Sequence, residues 1–331
     1  MKKIAINGFG RIGRLTLRQL LKKSDLEVVA INDLTDIPTL AHLFQYDSAH
    51  RKFEGTVSYD EDHIIVDGRK IKALMCKDPL ELPWKSLDID VVLECTGINL
   101  TFESANAHIL AGAKKVIISA PPKDASIPTF VLGVNDEELK PELQIISNAS
   151  CTTNCLANAI KILHEKFGIK FASMNTIHAF TQDQRLQDSP HKDLRRARAA
   201  SVNIIPTTTG AAKSVEQVYP LIKDKIIASS YRVPVITGSL IEMVCHVERS
   251  TTKEEVNQVF KTLSENQLKG ILEYTDRPLV SSDIISNTHS AIFDSELTEV
   301  NDDHVKIVAW YDNEGGYSAR LADLCSKFAS L

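Results

Sequence analysis

Lys3-Ile4-Ala5-Ile6-Asn7-Gly8-Phe9-Gly10-Arg11-Ile12-Gly13 carries an apolar run straight into a G-x-G-x-x-G turn. The run reads as a buried strand. The residues after the turn read as a helix to about Lys22, with Leu15, Leu17, Leu20 and Leu21 along it. Val28-Val29-Ala30-Ile31 reads as the next strand and ends at Asn32-Asp33, an acid about twenty residues beyond the glycines. A lone glycine motif is only a tight turn. Strand, helix and acid together specify a dinucleotide-binding βαβ unit. Gly8, Gly10 and Gly13 let the backbone approach a pyrophosphate, and the helix N-terminus receives its charge. The Asp33 carboxylate suits adenosine ribose hydroxyls and repels a 2′-phosphate, which favours NAD over NADP.

Further strands follow in the same rhythm. Asp67-Gly68 between Ile64-Ile65-Val66 and Lys70-Ile71-Lys72-Ala73 signals a hairpin. Asp88–Cys95 runs as an apolar strand into Thr96-Gly97, Thr101–Ala111 reads as a helix, and Lys115–Ser119, Phe130–Val134 and Gln144–Ser147 read as strands. Residues 36–60 are polar and resist assignment. Strands alternating with helices predict a doubly wound parallel sheet of the Rossmann type over residues 1–150, an α/β arrangement. Ligands of such sheets lie beyond the strand C-termini, where Thr96, Ser119 and the corner after Ser147 fall.

That corner is Asn148-Ala149-Ser150-Cys151-Thr152-Thr153-Asn154-Cys155. It opens a helix to about Phe167, with Ser150 or Asn148 as candidate cap and Gly168 as its stop. Cys151 falls in or beside the first turn, among hydroxyls and unpaired N–H groups, a setting that favours thiolate. The residue is either a nucleophile or an inert buried thiol. Beyond it the pattern changes. Strands are expected at 171–177, 226–233, 240–247 and 305–311, and helices at 210–219, 253–269 and 317–331. This predicts a catalytic α+β domain over 151–315 with a mainly antiparallel sheet, and a helix over 316–331 returning to the first domain. His178 ends a strand, either as a structural histidine or as a base for Cys151. Pro206-Thr207-Thr208-Thr209-Gly210 opens a helix and suits an anion, and Arg232 in an apolar strand calls for a partner such as phosphate.

The length of 331 residues allows two domains, and a net charge of −5 argues against a general nucleic-acid surface. The N-terminus turns glycine-rich too early for a signal peptide, and no apolar run suits a membrane span. Six cysteines without a CxxC pair point to no metal site and no disulfide framework, which fits a reducing cytoplasm.

Ser150–Cys155, His191–Ala200, Asn203–Lys213 and Trp310–Glu314 together resemble the phosphorylating, NAD-dependent glyceraldehyde-3-phosphate dehydrogenases over nearly the whole chain. The resemblance implies that Cys151 is the nucleophile and His178 its base. It implies a C3-phosphate site at Thr181 and Arg232, and a site for inorganic phosphate at Ser150, Thr152, Arg196, Thr209 and Gly210. It implies NAD contacts at Arg11, Ile12, Asp33, Lys77, Thr96, Ser119 and Asn313, beside the glycines. It further implies glyceraldehyde 3-phosphate and phosphate as substrates and a homotetramer in which the loop 183–201 packs on a neighbour. Departures from the family pattern are Gly315 and Ala319 in place of Trp and Asn, Lys77 in place of Arg, Ser189 in place of Leu, and Ile98-Asn99-Leu100 after Thr96-Gly97. Erythrose-4-phosphate dehydrogenase and a non-catalytic NAD-binding scaffold or RNA-binding paralogue are the rival readings.

Overall fold

A computed structural model describes residues 1–331. The chain divides into two compact units, Met1–Phe130 with Glu137–Ala149 and Ser318–Leu331, and Val131–Asp136 with Ser150–Tyr317.

In the first unit the elements run β1 (Lys2–Asn7), α1 (Arg11–Leu20), β2 (Leu26–Asn32), α2 (Ile37–Gln45), β3 (Val57–Tyr59), β4 (His63–Val66), β5 (Arg69–Leu74), α3 (Trp84–Leu87), β6 (Val91–Glu94), α4 (Phe102–Leu110), β7 (Lys115–Ile118) and β8 (Ile145–Ser147). The strand order is β3-β4-β5-β2-β1-β6-β7-β8. From β5 to β8 all neighbours are parallel, and the expected hairpin adds β4 and β3 antiparallel. Order reverses on either side of β1, the switch point at which doubly wound sheets bind ligands. One layer of core brings Ala5, Ala30, Val92, Val116 and Ile118 against Trp84, Ile89 and Ala105. Residues 36–60, silent in sequence, hold α2, capped by Asp36, whose side chain accepts from Thr39 N, and the short β3.

The second unit runs α5 (Cys151–Phe167), β9 (Ile169–Ala179), β10 (Ile205–Thr207), α6 (Ala211–Val218), β11 (Ile226–Val233), β12 (Ser239–Val247), α7 (Lys253–Glu265), β13 (Leu272–Thr275), β14 (Ala291–Asp294), β15 (Glu299–Asn301) and β16 (His304–Tyr311). Its sheet has the order β10-β11-β9-β12-β16-β14-β13, with β15 on β16. Most pairs are antiparallel, while β9–β11 and β13–β14 are parallel. α5 covers one sheet face, and β9 presents Ala172, Met174, Thr176 and His178 to the buried side at period two. α8 (Gly315–Ser330) follows, and its residues from Ser318 count with the first unit. There Lys23 pairs with Asp323 and Lys115 Nζ donates to Phe328 O at 2.8 Å.

Phe130–Val134 is not a strand. Phe130, Val131 and Leu132 are buried as expected of an apolar run, but Val134 N bonds Val131 O and Gly133 sits at φ +85. Asp136 accepts from Gly133 N at 2.8 Å and closes the turn. Val131–Asp136 packs with the second unit, where Asn158 Nδ2 donates to Leu132 O and Lys161 Nζ to Val134 O.

Candidate active site and dinucleotide site

In the first unit the glycine turn separates room from contact. A Cβ at Gly8 would lie 2.6 Å from Thr96 N, and one at Gly13 would lie 2.2 Å from Gly8 O. Gly8 also has φ +92, a conformation costly for any side chain. A Cβ at Gly10 would meet nothing within 4 Å, so this face is open at the start of α1, as an approaching pyrophosphate requires. Asp33 Oδ2 accepts from Phe9 N at 2.8 Å and Oδ1 from Thr35 N at 3.0 Å, tying the end of β2 to the turn. Thr96 and Ser119 stand just past β6 and β7, and Lys77 is exposed in the loop after β5. Arg11 is ion-paired with Asp47, which also accepts from His50 N at 2.8 Å. Ile12 lies in the first turn of α1.

In the second unit Ser150 caps α5, its Oγ accepting from Thr153 N at 3.1 Å, so Cys151 is the first helical residue. The chain reaches it through Ala149 at φ +56, a conformation uncommon outside glycine. Cys151 Sγ lies 3.5 Å from His178 Nε2. His178 Nδ1 lies 2.7 Å from Ala179 O and also meets the Arg232 guanidinium; with its proton assigned to the Ala179 carbonyl, Nε2 presents a lone pair to the sulfur. Tyr311 stands edge-on to the imidazole, centroids 5.9 Å apart. Burial and then the Arg232 charge push the imidazole down to about 3, so the ring is neutral.

Opposing influences act on the Cys151 thiol. Burial holds the Cys151 thiol above its ordinary value, although Arg232, Thr152 and the helix start pull it down.

Arg232 is the register partner of His178 across β11 and β9. Its Nη1 touches His178 Nδ1 and donates to Ala179 O at 3.1 Å, while its Nε is buried without a partner. A buried cation with an idle donor calls for an anion. Thr181 Oγ1 donates to Asp183, and Arg196 holds the other Asp183 oxygen while its Nε donates to Thr207 Oγ1 at 2.8 Å. Thr209 Oγ1 accepts from Ala211 N at 3.1 Å at the start of α6, and a Cβ at Gly210 would meet only open space.

Thr152 is placed differently from expectation. It is buried, and its Oγ1 bonds the Tyr311 hydroxyl at 2.9 Å, with Thr176 Oγ1 on the same hydroxyl at 3.0 Å. What Thr152 offers an anion is its first-turn backbone N–H, which already steadies the Cys151 sulfur. Asn313 Oδ1 accepts from Ser239 Oγ at 2.9 Å and from Thr237 Oγ1 at 3.3 Å. Its Nδ2 is thereby the donor end of the amide, an orientation assigned from those partners. Ser239 Oγ also accepts from Ala179 N at 3.0 Å, which links Asn313 to the strand end that carries His178. Sequence reasoning missed Tyr311 and Asp183 as site residues. Period-two alternation along β16 was the one available signal for Tyr311, and an acid two residues past Thr181 was that for Asp183.

Residues 2–102 match the model of the glyceraldehyde 3-phosphate dehydrogenase NAD binding domain, and residues 150–313 match that of the C-terminal domain of the same enzymes. The chain belongs to the glyceraldehyde-3-phosphate dehydrogenase family. It is 56% identical over 326 residues to the glyceraldehyde-3-phosphate dehydrogenase of Thermotoga maritima, covering 98% of each chain. It is 53% identical over 329 residues to that of Mycobacterium avium and 51% identical over 329 residues to that of Mycobacterium leprae, covering 97% of each chain in both cases. NAD is the cofactor, and the open Gly10 face, the start of α1 and Asp33 fit it. No group of His, Cys, Asp and Glu could hold a metal ion, all six cysteines are free, and no helix is long and apolar enough to cross a membrane.

Proposed function

We propose that this chain oxidises D-glyceraldehyde 3-phosphate and phosphorylates it with inorganic phosphate to 1,3-bisphosphoglycerate. The observation that carries the reading is the 3.5 Å approach of Cys151 Sγ to His178 Nε2, with Arg232 against the imidazole. His178 accepts the thiol proton as Sγ adds to the aldehyde carbon and returns it to the nascent alkoxide. The product is a hemithioacetal on Cys151. NAD⁺ held by the Gly8–Gly13 turn and Asp33 would supply the hydride acceptor for that carbon. His178 takes the hydroxyl proton in the same step, and a thioester remains. Phosphate attacks the thioester carbon, the acyl phosphate departs, and Cys151 recovers its proton from His178. Base assistance of this kind contributes about 10²–10⁴-fold.

Two phosphoryl groups must be held in this sequence. Arg232 Nε and Thr181 suit the C3 phosphate of the aldehyde. Arg196, Thr209, Gly210, Ser150 and the Thr152 N–H suit the attacking phosphate. Asn313 Nδ2 suits the nicotinamide carboxamide. In the domain assignment, residues 1–150 bind NAD, 151–315 carry the chemistry and 316–331 form the terminal helix. A homotetramer is supported by Leu186 and Leu194, each 82% exposed in the 183–201 loop, more apolar surface than a free loop tip usually shows. A cytoplasmic site is supported by the free cysteines.

Steady-state NADH formation tests the reading. Turnover with glyceraldehyde 3-phosphate that requires inorganic phosphate is expected. Faster turnover on erythrose 4-phosphate, independent of phosphate, would favour the rival dehydrogenase. No NADH from either sugar would favour the non-catalytic paralogue.

A further inference from the structure

Ile98-Asn99-Leu100, the unusual stretch after Thr96-Gly97, has no role in the chemistry above. Asn99 Nδ2 donates to Glu94 Oε2 at 3.0 Å. Glu94 ends β6 and is buried, 1% exposed, yet neither lysine nor arginine reaches it. Its Oε2 also accepts from Asn7 Nδ2 at 2.7 Å and from His108 Nε2 at 3.0 Å on α4. Its Oε1 accepts from Thr96 N at 2.8 Å and from Thr96 Oγ1.

His108 faces the Glu94 carboxylate through Nε2. Trp84 Nε1 donates to His108 Nδ1 at 2.9 Å, and an indole N–H only donates. The ring proton is therefore on Nε2, directed at Glu94. The Cys95 thiol, the other titratable neighbour, is pushed up to about 12 by burial and stays neutral. Glu94 is thus a buried carboxylate held by donors from Asn7, Thr96, Asn99 and His108. Burial opposes its charge, but the bonds from His108 and Asn99, the electrostatic pull of His108 and the bond from Thr96 outweigh it and keep the carboxyl below its usual value.

Those donors come from the segments that form the dinucleotide edge. Asn7 precedes Gly8, and Asn32 Nδ2 donates to Asn7 Oδ1 at 2.7 Å. Gly8 rests on the Thr96 amide so closely that no Cβ fits between them. Thr96 Oγ1 accepts from Ile98 N at 3.2 Å while donating to Glu94, and Gly97 turns at φ +71. Of the loop residues beyond Gly97, only Asn99 returns a side chain to the carboxylate.

We propose that Asn99 is a positioning residue for the dinucleotide: through Glu94 it holds the Thr96–Leu100 loop, on which the Gly8 turn rests, in the conformation that receives NAD. The inference requires NAD binding only and is independent of the acyl-transfer reading. Calorimetric titration of the full chain with NAD⁺ tests it. Asn99→Ala weakens binding about five- to tenfold, the scale of one ordinary net hydrogen bond. Its KM for NAD⁺ rises in parallel, while kcat at saturating NAD⁺ moves by less than about twofold. Asn99→Asp places a second carboxyl beside Glu94, and the pair shares a proton at low pH but repels when both ionise. Its NAD⁺ affinity therefore matches the parent near pH 5 and falls as the pH rises toward about 8, a range over which the parent is flat. NAD⁺ affinities of Asn99→Ala within about twofold of the parent, even with a lowered melting temperature, would overturn the proposal. So would a flat pH profile for Asn99→Asp. Should Asn99→Asp not fold, the titration of Asn99→Ala decides alone.

Discussion

His178→Asn removes the base and leaves most of the geometry. Asparagine is smaller than imidazole, and its amide can still donate to Ala179 O, the present partner of Nδ1 at 2.7 Å. No group remains to accept the proton from Cys151 Sγ, now 3.5 Å from Nε2. The loss expected is that of one general base, about 10²–10⁴-fold in kcat/KM, or about 3–5 kcal/mol of transition-state stabilisation. The assay is NADH formation at saturating NAD⁺ and phosphate, with melting followed in parallel. A second consequence concerns acid. His178 is held down to about 3, so the unfolded chain binds a proton that the folded chain refuses as pH falls from about 6.5 toward about 3. Stability from this group is complete above the unfolded value and is lost as pH falls. His178→Asn therefore loses less stability between about pH 7 and 5 than its parent. A fall in kcat/KM below about tenfold would refute the base assignment, since no other residue is placed to take the proton.

Other expectations rest on separate contacts. Tyr311→Phe strands the hydroxyls of Thr152 and Thr176, so a destabilisation of about 1–3 kcal/mol is expected in denaturant titrations. Gly10→Ala meets open space and should melt near the parent temperature while binding NAD⁺ more weakly. Gly13→Ala meets Gly8 O at 2.2 Å and should lose both stability and binding, as melting and titration together will show. Arg232→Gln removes the cation that lowers the Cys151 thiol, so alkylation by iodoacetamide at a fixed pH should slow.

The parallel sheet was legible because its signals are local. The strand before Gly8, the helix after Gly13 and the acid at Asp33 each fall within a few residues of one another, and β1, α1 and β2 formed where they predict. The Cys151 helix start was equally plain, since Ser150 caps it as its residue type suggests. Phe130–Val134 misled because burial alone does not distinguish a strand from a turn, and the positive φ of Gly133 decides the matter. The protonation state of Cys151 was illegible for a related reason. The helix start is visible in sequence, but the burial that outweighs it arises from β9, β11 and β16 folding around the sulfur. Tyr311 and Asp183 join the site through partners more than a hundred residues away or through a loop, and no spacing rule reaches either. Asn99 reads in sequence only as a departure, because its partner Glu94 is buried by the fold and not by any local pattern.

The most direct test of the central claim is to trap the acyl group. The protein is mixed with glyceraldehyde 3-phosphate and NAD⁺ without inorganic phosphate, quenched in acid and mapped by peptide mass spectrometry. An acyl adduct on Cys151, formed with one equivalent of NADH and discharged on adding phosphate, is predicted. NADH formation with Cys151 unmodified, or an adduct confined to Cys76, Cys95 or Cys155, would contradict the account.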